Sequence, residues 1–518
     1  MSWNDKQKWS PSRTGSRTRV TEDRHVAIVG GGLAGMAAAV VLAERGVRTT
    51  VLEAEEFLGG RAGAWTEEGP GGKPFEIERG FHAFFRQYYN LRNLLRRIDP
   101  ELAMLVELDD YPVLHPDGTR EAFAKVALDP PLNVLQILRD SPSVNWLDVV
   151  KLGYREGLEM LAYDPARTYR VYDGMTAKQY LDQLNLPPRA RSMLFDLFAH
   201  SFFNPETELS AAEMLQYFHF YFVHNPEGLV FDMLDGPLST RVWQPLRRYL
   251  EDRGGEVRLG SRVSGLRRTQ DGPWRVSTGG DELAADAVVL ALHVPGLQGL
   301  LKSAPDLGTE AWRRSIEDLS VTWPFAVLRL WLDGPVREDR AAFAAIADAE
   351  PLDAITIYEK VCDHAAEWAQ RTGGSIVELH AYASRPEDDG PTVRRQLIEW
   401  MHRMYPETAE RTILHERFEL GRDAPAFLPS LAGKRPPTET PVPGLVLAGD
   451  LVDVPFPTAL MERATSSGFL AANHLLADWD VQGEDLWSVP MRGMLRGALG
   501  SLPVRAADRV VRRLRRSR

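Results

Sequence analysis

The chain is almost without cysteine: its 518 residues include one, Cys362. A single thiol excludes an intramolecular disulfide and every multi-thiolate metal site. An apolar leader is missing too. Before residue 25 the chain is polar, with Lys6, Lys8, Arg13, Arg17, Arg19 and Arg24, and nothing there reads as a secretory signal. Basic charge is not in excess, since 61 Lys and Arg against 72 Asp and Glu give a net charge of −11. That balance argues against a general nucleic-acid binder. No HExxH or GxSxG motif occurs, so neither a zinc hydrolase nor an acyl-transfer enzyme is supported, and no metal is expected. Long uncharged runs are equally scarce. Val26–Ala43 alone has the length of a membrane span, and it contains Gly30, Gly31, Gly32 and Gly35 in a pattern with a better explanation. There is no internal repeat.

What is present is ordinary globular composition, 44% apolar and 26% charged, in a chain long enough for about three domain-sized units. From His25 the pattern runs strand, glycine turn, helix, strand, as in a βαβ unit. Gly46 stands where a helix C-terminal glycine belongs, ahead of the β-rich Val47–Leu52. Thr176–Gln179 and Ser210–Glu213 have capping-box spacing before apolar helical runs. Further strand candidates are Glu256–Leu259, Ala287–Leu292, Phe325–Leu332, Ile376–Tyr382 and Gly444–Gly449, with a helix over Leu460–Leu476. Nucleotide-type strands thus recur at the start, middle and end. The fold class expected is α/β, with a discontinuous Rossmann-like domain and a second α+β domain.

The strongest motif is His25-Val26-Ala27-Ile28-Val29 leading into Gly30-Gly31-Gly32-Leu33-Ala34-Gly35, with the acid Glu53 ending the next strand. Gly30 suits a tight turn, Gly32 lets a pyrophosphate reach the backbone, and Gly35 lets helix and strand pack closely. The helix start offers free N–H groups to phosphate, and Glu53 suits ribose hydroxyls. Gly59-Gly60-Arg61 follows; Arg61 by itself also reads as a solvated surface charge. With this extension the segment resembles the fingerprint of flavoprotein oxidases and desaturases of the amine-oxidase and phytoene-desaturase superfamily. The resemblance implies FAD. It places Gly59, Gly60 and Arg61 along the phosphate path, Gly449 and Asp450 at the ribityl chain, and Leu460 and Met461 at a helix start facing the pyrimidine end of the flavin. It also makes Val263, in the stretch Glu256–Val263, an adenine contact. Arg463 departs from the glycine common after Glu462 in that superfamily, which leaves the contacts of both residues open.

Three segments are unusually aromatic: Phe81–Tyr89, Phe195–Phe203 and Tyr217–Phe222. Such clusters form cores by default; the other reading is an apolar channel for a long isoprenoid, and both can hold. The stretches Arg79–Arg92, Ser201–Phe203, Glu208–Met214 and Pro455–Ala464 are together similar to the isorenieratene synthases, carotenoid β-ring desaturase/methyltransferases within that superfamily. This implies β-carotene as substrate, with Phe81, Phe84 and Phe85 as candidate contacts. Aromatising a β-ionone ring requires hydride loss to the flavin, a 1,2-methyl shift off the quaternary carbon, proton loss, and then a second hydride and proton loss. The methyl moves within the substrate, so no separate methyl donor is needed. His82 is the candidate proton acceptor, against its reading as a packing residue. For Glu213 the capping reading is preferred. The electron acceptor of reduced FAD is not legible.

The layout expected is a loose basic tail over 1–24, FAD-binding segments over 25–84, 236–300 and 426–480, a mainly helical substrate or membrane-facing region over 85–235, a substrate domain with sheet over 301–425, and a basic tail over 481–518. The final stretch Arg505–Arg518 suits either anionic lipid or a frayed end. A cytoplasmic protein peripheral to the cytoplasmic membrane is expected. Competing readings are an acyclic (phytoene-type) carotene desaturase, an amine oxidase, and a non-catalytic flavin-containing isoprenoid carrier.

Overall fold

In the computed structural model the opening βαβ pattern becomes the centre of a parallel sheet. The structure describes residues 6–10, 14–108, 110–121, 136, 153–223, 228, 231–268 and 272–493. His25–Val29 is flanked by Arg48–Leu52 and Ala287–Leu290, with Glu256–Arg258 and Leu445–Leu447 as the edges. All four pairings are parallel. Three distant parts of the chain therefore build one Rossmann-like sheet. Ala287–Leu290 and Leu445–Leu447 are buried along their whole length, which is why each reads as a continuous apolar run.

The helix Leu33–Glu44 shows why Val26–Ala43 resembles a span. Leu33 to Ala43 are all buried, so the helix needs no polar face. It packs on the helix Leu460–Asp478, where a Cβ on Gly468 would lie 2.2 Å from the Ala34 carbonyl oxygen. Two helices this close bury a strip that would otherwise require lipid. Among the described residues no helix is long and apolar enough to cross a membrane. Gly46 follows the first helix at φ +83°, turning the chain into the next strand.

The second body is a seven-stranded mixed sheet in the order Ile413–Gly421, Phe325–Leu332, Ser375–Ala381, Ala354–Ile357, Phe343–Ile346, Val113–Leu114 and Arg120–Glu121. Strand alternation divides its faces. Ala326, Leu328 and Leu330 pack in one cluster with Val393, Leu397 and Met401 of the helix Gly390–Met404. Phe325 and Val327 face the opposite way, into a cavity. Short helices Tyr154–Leu161, Pro165–Tyr172, Ala177–Leu184 and Ala211–Phe218 lie in the helical region, and Thr176 forms the expected capping box with Gln179. That region also holds strands: Phe84–Phe85 and Leu105–Glu107 flank Phe231–Leu234.

Part of the expected loose N-terminal tail is held in place. Gln7–Trp9 pairs antiparallel with Leu486–Ser488, the Trp9 ring lies 5.6 Å from Phe456, and Lys8 meets Asp485 at 2.7 Å. Strand hydrogen bonds and one aromatic side chain order a segment that its polar composition alone would leave free. The basic stretch Arg505–Arg518 lies outside the described residues.

Candidate functional site

The phosphate loop is built by backbone constraints. Gly30 has φ +107°, and a Cβ there would meet the Ala291 carbonyl oxygen at 2.4 Å; a Cβ on Gly35 would meet the Gly30 carbonyl oxygen at 1.9 Å. Gly30 and Gly35 are thus needed for the turn and for helix–strand contact. Gly32 is open by comparison, its nearest neighbour to an added Cβ being the Gly59 carbonyl oxygen at 3.8 Å. The helix beginning at Leu33 has no side-chain cap and no acidic residue in its first turn, so its first N–H groups stay available to an anion.

Glu53 is fixed from two sides. Its Oε2 accepts the Gly31 N–H at 2.6 Å and its Oε1 the Glu55 N–H at 2.9 Å. Each oxygen keeps capacity for a further donor such as a ribose hydroxyl. Gly31 itself is taken up by that bond and does not line the cavity. The chain then passes from the edge strand Glu256–Arg258 over Glu53, where Ser261 donates its N–H to the Glu53 carbonyl at 2.6 Å, and Val263 comes to the cavity wall.

The two ends of the chain meet at Arg61 and Asp450. The guanidinium Nη2 donates to Asp450 Oδ1 at 2.5 Å, which rules out Arg61 as a merely solvated charge. Gly449, at φ +132°, donates its N–H to Ser467 Oγ at 2.8 Å and starts the turn that presents Asp450. The helix Leu460–Asp478 opens with Leu460 at φ +48° and no side-chain cap. A non-glycine residue in that region is strained, and here the strain turns an uncapped helix start toward the cavity lined by Leu460, Met461 and Ala464.

Glu462 and Arg463 serve as clamps. The Glu462 carboxylate accepts N–H bonds from Asn90 at 2.8 Å and Leu91 at 2.9 Å, and burial pushes its pKa up to about 8 despite them. Arg463 reaches Glu213 at 3.1 Å, and Arg435 reaches the other oxygen of Glu213 at 2.5 Å. Burial raises the Glu213 pKa, but the two guanidiniums outweigh it and hold the carboxyl below its usual range. The expected capping role for Glu213 is therefore incorrect. Ser210 caps Ala212 at 3.2 Å on its own, because two buried cations claim the Glu213 carboxylate.

One connected cavity of about 1450 Å³ runs from Gly30, Gly32, Glu53 and Val263, past Gly59, Gly60, Arg61 and Asp450, into an aromatic chamber. Phe81 and Phe85 line the chamber together with Tyr88, Phe198, Tyr221 and Phe343. Phe81 stacks on Phe343 with centroids 4.8 Å apart. Phe84 does not line the cavity. It alternates with Phe85 along a strand, so its side chain turns into the core at 3% exposure, and its expected role as a substrate contact is corrected to packing. The aromatic segments therefore split between core and channel by strand and helix face.

His82 stands in the cavity wall, beside the backbone of Gly80 and Arg61, and its Nδ1 is buried without a hydrogen-bond partner. Burial lowers its pKa, so the imidazole is held neutral. Sequence reasoning missed the polar floor of the chamber, Asp353, His380 and Tyr382, and the carboxylates Glu419 and Asp423 near Arg79. The available signal was polar residues at every second position, Glu378, His380 and Tyr382, in an otherwise apolar strand. Cys362, Asp363 and His364 form a small group of possible ligand atoms, with Cys362 Sγ 2.8 Å from His364 Nδ1. It lies outside the cavity.

These residues fit a flavin dinucleotide. The turn leaves width for a pyrophosphate at Gly32, Glu53 suits a ribose, and Asp423 Oδ1 lies buried in the same wall without a partner, ready for a hydroxyl donor.

Comparison with known proteins agrees with this geometry. The family described as flavin containing amine oxidoreductase matches residues 33–476. A carotenoid phi-ring synthase of Streptomyces griseus is 43% identical over 478 residues, 92% of each chain. One from Chlorobaculum tepidum is 27% identical, again with 92% of each chain covered. The 15-cis-phytoene desaturase of Solanum lycopersicum is 25% identical over 89% of this chain and 79% of its own. Among solved structures, putrescine oxidase bound to putrescine superposes with TM-score 0.62 at 18% identity, covering 88% of this chain and 99% of that one, which speaks to fold alone. By sequence, fold and site, the chain belongs to the flavin-containing amine oxidoreductase family, with FAD as its cofactor, and within that family it groups with the carotenoid phi-ring synthases.

Proposed function

We propose that this protein is an FAD-dependent carotenoid oxidoreductase that desaturates the β-ionone rings of β-carotene with 1,2-methyl migration, giving aromatic end groups of the isorenieratene type. The observation that carries the reading is the continuity of one cavity from the dinucleotide loop to an aromatic chamber. The 43% identity to a phi-ring synthase supports it.

Bound FAD supplies a hydride acceptor, used twice for each ring. The chain's residues do the rest. Gly30 and Gly35 shape the turn, while Gly32, Ala34, Gly59 and Gly60 border the pyrophosphate and Glu53 holds the ribose. Val263 meets the adenine. Arg61 lies on the phosphate path and holds Asp450, which positions the ribityl chain, and the uncapped N–H groups at Leu460 and Met461 face the pyrimidine end with the positive pole of a long helix. Phe81 and Phe85 offer ring faces to positive charge developing on the substrate and keep water from it. His82, held neutral by burial in the cavity wall, accepts a proton from the ring.

β-Carotene dissolves in bilayers, so a protein reaching it without a span works at the membrane surface. Peripheral association with the cytoplasmic membrane is part of the proposal, as is an external acceptor that reoxidises the flavin. Expression in a β-carotene-producing host tests the whole reading. Pigment lighter by eight hydrogens, with the spectrum of an aromatic carotenoid, is expected. Untouched β-carotene beside desaturated phytoene would move the assignment to the acyclic desaturases, flavin reduction by amines to the amine oxidases, and inert flavin with retained carotene to a carrier.

A further inference from the structure

Aromatisation removes two protons from each ring, at different carbons, so a second acceptor elsewhere in the chamber wall would spare the ring from reorienting between the two losses. His82 reaches the chamber from the Arg79–Phe85 side. The sheet floor adds Asp353, a carboxylate that lines the same chamber and, unlike Glu419 and Asp423 beside Arg79, has no guanidinium partner among the described residues. Its backbone is pinned by two sheet bonds, Asp353 N–H to the His380 carbonyl at 2.8 Å and Ile346 N–H to the Asp353 carbonyl at 2.8 Å. Its carboxylate is pinned as well. Oδ2 accepts the Tyr382 N–H at 2.6 Å, and Oδ1 lies 2.9 Å from His200 Nδ1.

We infer that Asp353 is a second proton acceptor for the reacting ring, held in position by His200; this rests on the ring-desaturase reading above. The path from the Arg61–Asp450 pair to the floor is short in contacts. Arg61 meets Asp450, His82 stands beside the Arg61 backbone, a Cβ on Gly80 would be 3.2 Å from His380 Nδ1, and His380 shares its sheet bond with Asp353. Phe343 and Ala345, on the strand paired with the one Asp353 leads into, form the adjoining apolar wall.

The step balances simply. After hydride loss to FAD and methyl migration, the ring C–H bond breaks, its electron pair becomes the new ring double bond, and the proton goes to an Asp353 carboxylate oxygen. The carboxyl loses that proton to solvent once the product leaves. A carboxylate already holding two donors keeps lone pairs for one more proton, and its fixed orientation spares the site reorganisation. His200, at 16% exposure, meets Asp353 Oδ1 through Nδ1 and does not line the cavity, so it is a positioning residue.

The test uses full-length, flavin-loaded protein with β-carotene in liposomes. Asp353→Asn keeps the shape, its amide oxygen still accepting the Tyr382 N–H and its NH2 donating to the other tautomer of His200, so flavin content and carotene retention should match wild type while aromatic product falls at least about 100-fold. Asp353→Glu should recover part of the loss. His200→Ala should lower kcat about tenfold with KM little changed, and added imidazole should restore the rate by refilling the vacated space. Product within about threefold of wild type from flavin-loaded Asp353→Asn overturns the inference. If that variant fails to hold flavin, His200→Ala decides, and a normal kcat or a deficit that ignores imidazole overturns it equally. Wild-type protein that forms no aromatic pigment would instead remove the functional reading underneath.

Discussion

The dinucleotide end and the aromatic chamber are one continuous space made by opposite means. At the dinucleotide end the important groups are backbone N–H donors and absent side chains, as at Gly30, Gly32 and Gly35. In the chamber they are side chains, delivered by strands and helices far apart in sequence, such as Phe81, Tyr221, Phe343 and Asp353. The first arrangement tolerates almost no substitution but is indifferent to chemistry. The second sets the chemistry and tolerates much more. The difference explains how an 18% identical putrescine oxidase shares the fold while the chamber here carries its own set of aromatic and polar side chains.

The comparison breaks most easily at Gly30. Gly30→Val places a branched side chain against the Ala291 carbonyl at a positive φ, so the purified protein should carry no flavin, as read by absorbance after acid release. His82→Asn should do the reverse, leaving flavin content intact and cutting aromatic product by about 100-fold or more; a normal rate would return His82 to packing. Because burial lowers the His82 pKa below 6.5, the acid limb of the wild-type rate profile should lie below pH 6.5, where an ordinary histidine would already be protonated. Arg61→Met strips Asp450 of its partner and should weaken flavin binding by about 2–5 kcal/mol in a titration of apoprotein. Glu213→Gln touches neither end directly but leaves Arg435 and Arg463 buried without a counter-charge, so thermal unfolding should show a loss of about 3 kcal/mol with product specificity unchanged. Smallest is the effect of deleting 491–518, expected to reduce sedimentation with anionic liposomes while pigment formation in detergent persists.

The same contrast decides what could be read from residues alone. Gly30 to Gly35, Glu53 and Gly59 to Arg61 lie within one βαβ neighbourhood, where local backbone geometry dictates residue type, so their positions were legible. The strands Ala287–Leu290 and Leu445–Leu447 were legible because double-sided burial leaves only apolar residues. Phe84 and Phe85 were not separable, since composition does not say which strand face meets the cavity. Glu213 fits a capping box by spacing, and only the distant Arg435 and Arg463 give its carboxylate another use. Asp353, His380 and Tyr382 meet through the register of a seven-stranded sheet, which no local pattern encodes. The Gln7–Trp9 strand was hidden for the same reason, its partner lying near the other end of the chain.

The Arg61–Asp450 pair joins residues 389 positions apart, and this has a consequence for biosynthesis. The strand at the sheet's centre is made long before the helix Leu460–Asp478 that packs on Leu33–Glu44. Until that helix is made, the apolar stretch Leu33–Ala43 lacks one of the elements that cover it, and Asp450, Leu460 and Met461 are not yet beside the dinucleotide loop. The complete cofactor site therefore exists only once residue 461 has been made, and a nascent chain stalled before residue 450 presents to chaperones the very segment that later disappears beneath the helix Leu460–Asp478.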